Sequence, residues 1–292
     1  MSKFFIGLFL VIIIIAGLFA FYSLRIPYDK VIEVPEKTPL SIPKTRVKIL
    51  LVPGHDNLDV GTTFNRINEE LLTRKLAGEI FDLFSKDDDF DVKITRDIET
   101  GDYISEFKIY FDEQKTAISE FKNYLKKDMK EKIKNGNVEI DEPIVAHTTS
   151  TRASDILYGI NMWANENDVD FVLHVHFNNY QRSQMSKAGA YSGYSIYVPE
   201  HQYNNATSSL AIASSIENEL KTSFNPSTLP IEKDTIIESQ GLIAVGANNS
   251  RNKASILVEY GYIYEPDISK DETLQKMAEL TYNGIKNYFA GQ

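Results

Sequence analysis

The sequence predicts an α/β fold in which a mainly parallel sheet is covered by helices on both faces, with a helical insertion and an N-terminal transmembrane helix. Short apolar runs rich in β-branched residues alternate with longer segments of helical periodicity, the pattern of strands joined by helical crossovers and buried on both sides. Residues 103–135 break that rhythm with a long amphipathic, Lys- and Glu-rich stretch. At the front, Phe4 to Leu24 carry no charge between Lys3 and Arg25. That run is long enough to span a bilayer.

The elements follow in order. Bulky Phe19, Phe21 and Tyr22 crowd the place where a signal peptide would end in small residues, so residues 1–25 read as an uncleaved anchor. Residues 26–46 hold Pro27, Pro35, Pro39 and Pro43, which resist helix and sheet and favour an extended tether. The remainder, 47–292, is one predicted globular domain. Val47–Val52 form its first strand, ending in Pro53-Gly54. Asn68 can cap a helix from Glu69, in which Leu72, Leu76, Ile80 and Leu83 make one apolar face.

Asp91–Thr95 read as a second strand. Tyr103–Asn135 read as one or two amphipathic helices within an insertion of about 101–149. Ala153–Asn165 are helical, and Asp170–Val175 form a strand running into His176. Further strands are expected at Gly193–Val198 and Ser255–Val258, with helices at Leu210–Leu220 and from Leu274 to Tyr288.

Composition narrows the function. A 42% apolar and 25% charged chain has ample material for a core. Its net charge of -10, with no basic stripe after Lys30, argues against nucleic acid as a partner. With no cysteine, metal or hydrolytic chemistry falls to His and carboxylates.

Three predicted strands end at His55, His176 and Glu259, and open α/β sheets bind ligands beyond the carboxyl ends of their strands. Glu69 adds a carboxylate at the start of the first helix. Two imidazoles and a carboxylate make an open zinc shell with a position left for water. Taken singly, a histidine at a strand end is more often structural, and a first-turn Glu commonly complements the helix dipole. Glu259 is different, because a carboxylate abutting Ile256-Leu257-Val258 is costly unless paired, protonated or coordinated. His174 and His176 share one strand face, so either can be the ligand; His176 is nearer the strand's carboxyl end.

Taken in order, these motifs resemble the zinc-dependent N-acetylmuramoyl-L-alanine amidases of the Amidase_3 type. Val52-Pro53-Gly54-His55 with Asp59 and Gly61 resembles the family's first metal motif, and Glu69 with Leu72 and Thr73 its second, Glu70 being the alternative. Thr95-Arg96 resembles the close of its second strand. Asp170–Asn178 resembles its third ligand segment, and Val258-Glu259-Tyr260-Gly261-Tyr262 the segment bearing its catalytic carboxylate. Asp56-Asn57, His174 and Tyr264-Glu265 depart from the family's usual residues.

The resemblance implies a twisted, mainly parallel sheet and one zinc held by His55, Glu69 and His176. It further implies Glu259 as general base in hydrolysis of the amide between N-acetylmuramic acid and L-alanine of peptidoglycan. Alternative readings are an inactive cell-wall-binding module and a zinc peptidase cutting within the stem peptide. The expected setting is the outer side of the cytoplasmic membrane. The insertion is expected either to cover the crevice as a lid or to pack outside as a helical hairpin, and it is a possible docking surface for a regulatory protein.

Overall fold

The computed structural model describes residues 45–140, 150–180 and 182–291. Among these, no helix is long and apolar enough to cross a membrane. The predicted anchor at 1–25 and the tether up to Lys44 lie outside the described residues.

Six strands form one sheet: β1 Val47–Pro53, β4 Phe90–Ile94, β5 Phe171–Asn178, β6 Ser195–Pro199, β7 Ile236–Ser239 and β8 Ala254–Tyr262, in the order β4-β1-β5-β8-β6-β7. The first four run parallel to one another. β6 pairs antiparallel with β8, and β7 pairs parallel with β6, so these two strands run the other way. A separate two-stranded ribbon, β2 Thr63–Phe64 and β3 Ile67–Asn68, stands just before the first helix. Asn65 and Arg66 turn it with positive φ of 48° and 69°, as a two-residue hairpin loop requires.

Helices cover both faces. α1 Glu69–Phe84, α5 Ala206–Leu220 and α6 Asp271–Ala290 lie over one, where Leu72, Leu76 and Ile80 of α1 join Ile49 and Leu51 of β1 with Leu173 and Val175 of β5. α6 crosses α5 so closely that a Cβ on Gly284 would stand 2.6 Å from the Ile216 Cα. On the other face, α4 Thr151–Glu166 packs Ile160 and Trp163 onto Leu50, Val52 and Val172. Alternate residues along β1 and β5 therefore serve opposite layers, as strand pleating demands.

Two details differ from the sequence reading. The Asn68 side chain makes no helix cap; its Oδ1 accepts from Thr63 Oγ1 at 3.0 Å across the ribbon, which uses the acceptor a cap would need. The expectation of a lid is not met by the described part of the insertion. It forms α2 Ser105–Glu113 and α3 Lys115–Lys134, packed as an outer layer on α4. Phe107 meets Trp163 with ring centroids 4.8 Å apart, and Ile118 and Leu125 meet Tyr158 and Met162. Phe107, Phe111, Ile118 and Phe121 of the insertion's apolar residues go into this contact, while Ile109 and Tyr124 stay exposed.

Because Phe107 is fully buried there, Phe107→Ala is expected to cost about 3–5 kcal/mol of stability, read as a lower midpoint in urea unfolding. An unchanged midpoint would make the hairpin an appendage.

Candidate metal centre and active site

The site forms where β1, β5 and β8 end side by side. Register pairs Val52 with His174 and His174 with Leu257, and two residues on it pairs His176 with Glu259. β1 continues into Gly54, whose N–H donates to the Val175 carbonyl at 2.8 Å. A Cβ on residue 54 would overlap the His176 ring. Only glycine lets that imidazole lie against the end of β1.

His55 turns out of the sheet with a left-handed φ of 60°. The turn behind it is closed by Asp56, whose Oδ1 accepts from the Leu58 and Asp59 N–H groups at 2.9 and 3.0 Å. Asp56 also pairs with Arg152 at 2.6 Å, and Asn57 Nδ2 donates to the Thr100 carbonyl and Asp102 Oδ1. The two polar residues that depart from the family's usual pattern thus brace the loop internally.

Glu69 reaches both imidazoles. Its Oε2 lies 3.1 Å from His55 Nε2 and its Oε1 lies 3.0 Å from His176 Nδ1. One ligand atom from each of the three residues falls within 4.8 Å of the others. The Thr62 N–H, 3.2 Å from Oε2, helps hold the carboxylate. A Cβ on Gly61 would crowd Oε2 and the His55 ring at 2.6 Å, so this loop too needs a glycine, here at φ +68°.

Burial by itself raises the Glu69 carboxyl, but the hydrogen bonds of His176 and His55 outweigh it and hold the group at about 2. Burial lowers the His55 imidazole, yet Glu69 and then Asp59 overcome it and raise the group. The carboxylate is therefore ionised and draws positive charge.

The alternatives separate clearly in space. Glu70 points away and pairs with Arg74 at 2.9 Å and the fully buried Arg96 at 3.2 Å. Arg96 also reaches the Gly54 carbonyl at 3.5 Å, as does Thr73 Oγ1 at 2.8 Å. Glu70 thereby orients the helix on which Glu69 stands. His174 is 1% exposed, on the α4 side of the sheet, and neither ring nitrogen makes a well-formed hydrogen bond. Burial, and then the neighbouring His176, push it down to about 3 against a weak pull from the Ala244 backbone.

Glu259 lies on the strand beside His176. Its Oε2 is buried and has no hydrogen-bond partner. Burial, then repulsion from Glu69 and Glu232, raises its carboxyl well above the ordinary carboxylate range. Glu232 is the residue sequence reading missed. It is buried on a short 3-10 turn and accepts from Asn178 Nδ2 at 2.9 Å, Tyr197 Oη at 2.7 Å and Tyr262 Oη at 3.2 Å. Its only sequence signal is a Pro230-initiated turn. Glu265 proves structural, since its Oε1 accepts from the Tyr262 and Gly193 N–H groups at 2.7 and 2.9 Å.

A second potential metal cluster, Glu200, His201 and Glu238, lies past the end of β6. Because β6 runs antiparallel to β8, it stands at the opposite end of the sheet. His201 is 70% exposed there between the two carboxylates.

The donor set suits zinc: two imidazoles and one carboxylate at a strand-end crevice, with a buried carboxylate of unmet hydrogen-bonding capacity on the adjoining strand. The surrounding fold is shared with solved structures. An N-acetylmuramoyl-L-alanine amidase from Clostridium difficile 630 aligns with a TM-score of 0.55 at 15% identity, covering 85% of this chain and 98% of that one. The CwlD amidase from Clostridioides difficile, solved in complex with the GerS lipoprotein, aligns with a TM-score of 0.55 at 16% identity over 85% and 100%. Ami1 from Mycobacterium smegmatis, an N-acetylmuramyl-L-alanine amidase, aligns at 0.55 and 14% identity over 85% and 99%. Comparison with curated proteins gives no match. At the level of sequence, the family described as Amidase_3, N-acetylmuramoyl-L-alanine amidase, matches residues 49–287, and with those residues spanning the site and all but the first two residues of the sheet, the chain belongs to that family of peptidoglycan amidases.

Proposed function

We propose that the chain is a zinc-dependent enzyme that hydrolyses the amide between N-acetylmuramic acid and L-alanine in peptidoglycan, working outside the cytoplasmic membrane from an anchor at residues 1–25. The observation that carries this reading is the convergence of His55, Glu69 and His176 within 4.8 Å, beside a buried Glu259.

In this reading His55, Glu69 and His176 hold the metal. Zinc bound there would polarise a carbonyl and make water more acidic near neutral pH. Glu259 manages the proton. Its Oε2, free of competing hydrogen bonds, takes a proton from attacking water and returns it to the departing amine of L-alanine. Its raised affinity for protons suits a group that must bind one and release it in each cycle. Glu69, held ionised, is suited to coordination and Glu259 to proton transfer, so two neighbouring carboxylates take different roles through their surroundings. No nucleophilic Ser or Cys is required.

The anchor rests on the uncharged run from Phe4 to Leu24 and on a substrate that lies outside the membrane. A regulatory protein would find its docking surface on the insertion, where Ile109 and Tyr124 are exposed on the outer layer of helices.

Digestion of purified sacculi, with mass spectrometry of the fragments, tests the activity. Stem peptides with a free L-alanine amine are expected. Intact muropeptides would instead make the chain a binding module, and cuts inside the stem a peptidase. Glu259→Gln is expected to keep zinc and lose on the order of 100-fold or more in kcat; full activity would remove Glu259 from the mechanism. Metal analysis should find one zinc per chain, lost in His176→Ala and retained in His174→Leu. The reverse would put the wrong imidazole on the metal. Protease treatment of spheroplasts should digest the catalytic domain, and protection until lysis would contradict the outward placement.

A further inference from the structure

A cavity of about 260 Å³ opens at the candidate metal centre and runs down between the sheet and α4. His55, Gly54 and His176 stand at its upper end. Asp56, Asp59, Tyr103 and Arg152 also line it, and the rest of its wall is largely apolar: Val52 and Leu257 from the strands flanking β5, Ile156, Leu157 and Ile160 from α4, and Ala244 opposite. One polar side chain enters this part. It is His174, which is 1% exposed and has no well-formed hydrogen bond at either nitrogen. The Ala244 carbonyl lies beside the ring and accepts from Ser255 Oγ at 2.8 Å, with one lone pair left.

We propose that this slot is a subsite for the N-acetyl group of the amino sugar next to the scissile amide, with the His174 imidazole hydrogen-bonding the acetamido group. The inference rests on the amidase reading and specifies which part of the substrate it recognises.

Size and polarity favour that occupant. An imidazole bearing one proton offers one donor and one acceptor, and a secondary amide has the complementary pair. The acetyl methyl fills apolar space. A carboxylate or ammonium group would lose its hydration among the aliphatic walls around His174, and the cavity's Arg152 is already paired with Asp56, which disfavours the charged groups of a stem peptide there. A bare methyl, from the lactyl group or L-alanine, would leave both ring nitrogens unmet. The slot is also at a suitable distance. His174 and His176 are two residues apart on one strand, roughly 7 Å. In a lactyl ether of an N-acetylated amino sugar, the acetamido group sits on the ring carbon adjacent to the ether, a comparable reach from the scissile carbonyl. With that carbonyl near His176, the acetamido group comes to His174.

The consequence is selectivity for the acetylation state of the glycan at the cleavage point. Removing the acetyl leaves a charged amine facing the slot.

The test uses the full zinc-loaded chain and two soluble substrates, an N-acetylmuramoyl dipeptide and its N-deacetylated counterpart. Wild type is expected to favour the acetylated form by at least about tenfold in kcat/KM, the scale of one unmet buried hydrogen-bonding group. His174→Leu, which keeps bulk without polarity, should raise KM for the acetylated substrate about tenfold, leave zinc content intact and bring the preference towards one. Ala153→Phe narrows the slot from α4 without altering the sheet and should act likewise if the leucine variant fails to fold. His174→Gln, which keeps a donor and an acceptor, should retain most of the preference. Equal wild-type rates on the two substrates would overturn the subsite, as would a preference that survives both His174→Leu and Ala153→Phe. If the chain cleaves neither substrate, the amidase reading fails separately, and saturation-transfer NMR with N-acetylmuramic acid decides the subsite: contact between the acetyl methyl and the protein, lost in His174→Leu, supports it, and no contact overturns it.

Discussion

Parallel pairing of β1, β5 and β8 is the constraint on which everything at the site depends. Three separate strands must stop at one level for His55, His176 and Glu259 to share a crevice, and the pairing of Val52 with His174 and His176 with Glu259 sets that level. A slip of one residue in any strand would send its side chain to the opposite face. The buried runs of Ile, Leu and Val within these strands resist such a slip, because it would expose them to the wrong layer of helices. Core packing in the middle of the sheet is thus what holds the polar groups at its end.

Glu69 needs a different support, since it comes from a helix. Its position is set by the β2–β3 ribbon, by Thr73 and Arg96 on the Gly54 carbonyl, and by the Arg96–Glu70 pair. Adjacent glutamates at the start of α1 therefore divide the work. Glu70 fixes the helix to the second strand's end, and Glu69 faces the imidazoles. Breaking a buried pair such as Arg96–Glu70 strands one charge in the interior, and the strain would be felt first by the carboxylate one residue away.

Much of this was legible beforehand. The strands at 47–53, 171–178 and 254–262 are apolar enough on both faces to announce themselves, and the helix from Glu69 has a clear stripe. Strand direction was not legible for β6, because nothing in Ser195–Pro199 encodes which neighbour it will meet. β7 escaped notice because Ile236–Ser239 is four residues long at an edge and mostly half-exposed. Strand alternation put His174 and His176 on one face and left open their different depths; only the packing of α4 buries the first and leaves the second in the crevice. Glu232 carried no pattern at all, since its importance lies in three partners that come from β5, β6 and β8. The insertion's periodicity identified helices without revealing that their apolar face was meant for α4.

The place of α6 bears on how such a chain comes into being. Residues 271–290 pack on α1 and α5 at once, so the helical layer on that side of the sheet stays incomplete until this helix has been synthesised. β8, which carries Glu259 and completes the central pairing with β5 across more than seventy residues of chain, also arrives late. Contacts so distant in sequence form slowly, and incomplete chains expose unpaired strand edges. A nascent chain that has been made as far as Asn178 holds His55 and His176 but neither the neighbouring strand β8 nor the covering helix. Assembly of the reactive centre is therefore a late event of biosynthesis, and a prematurely ended chain would be a quality-control substrate, with no capacity to act as a hydrolase.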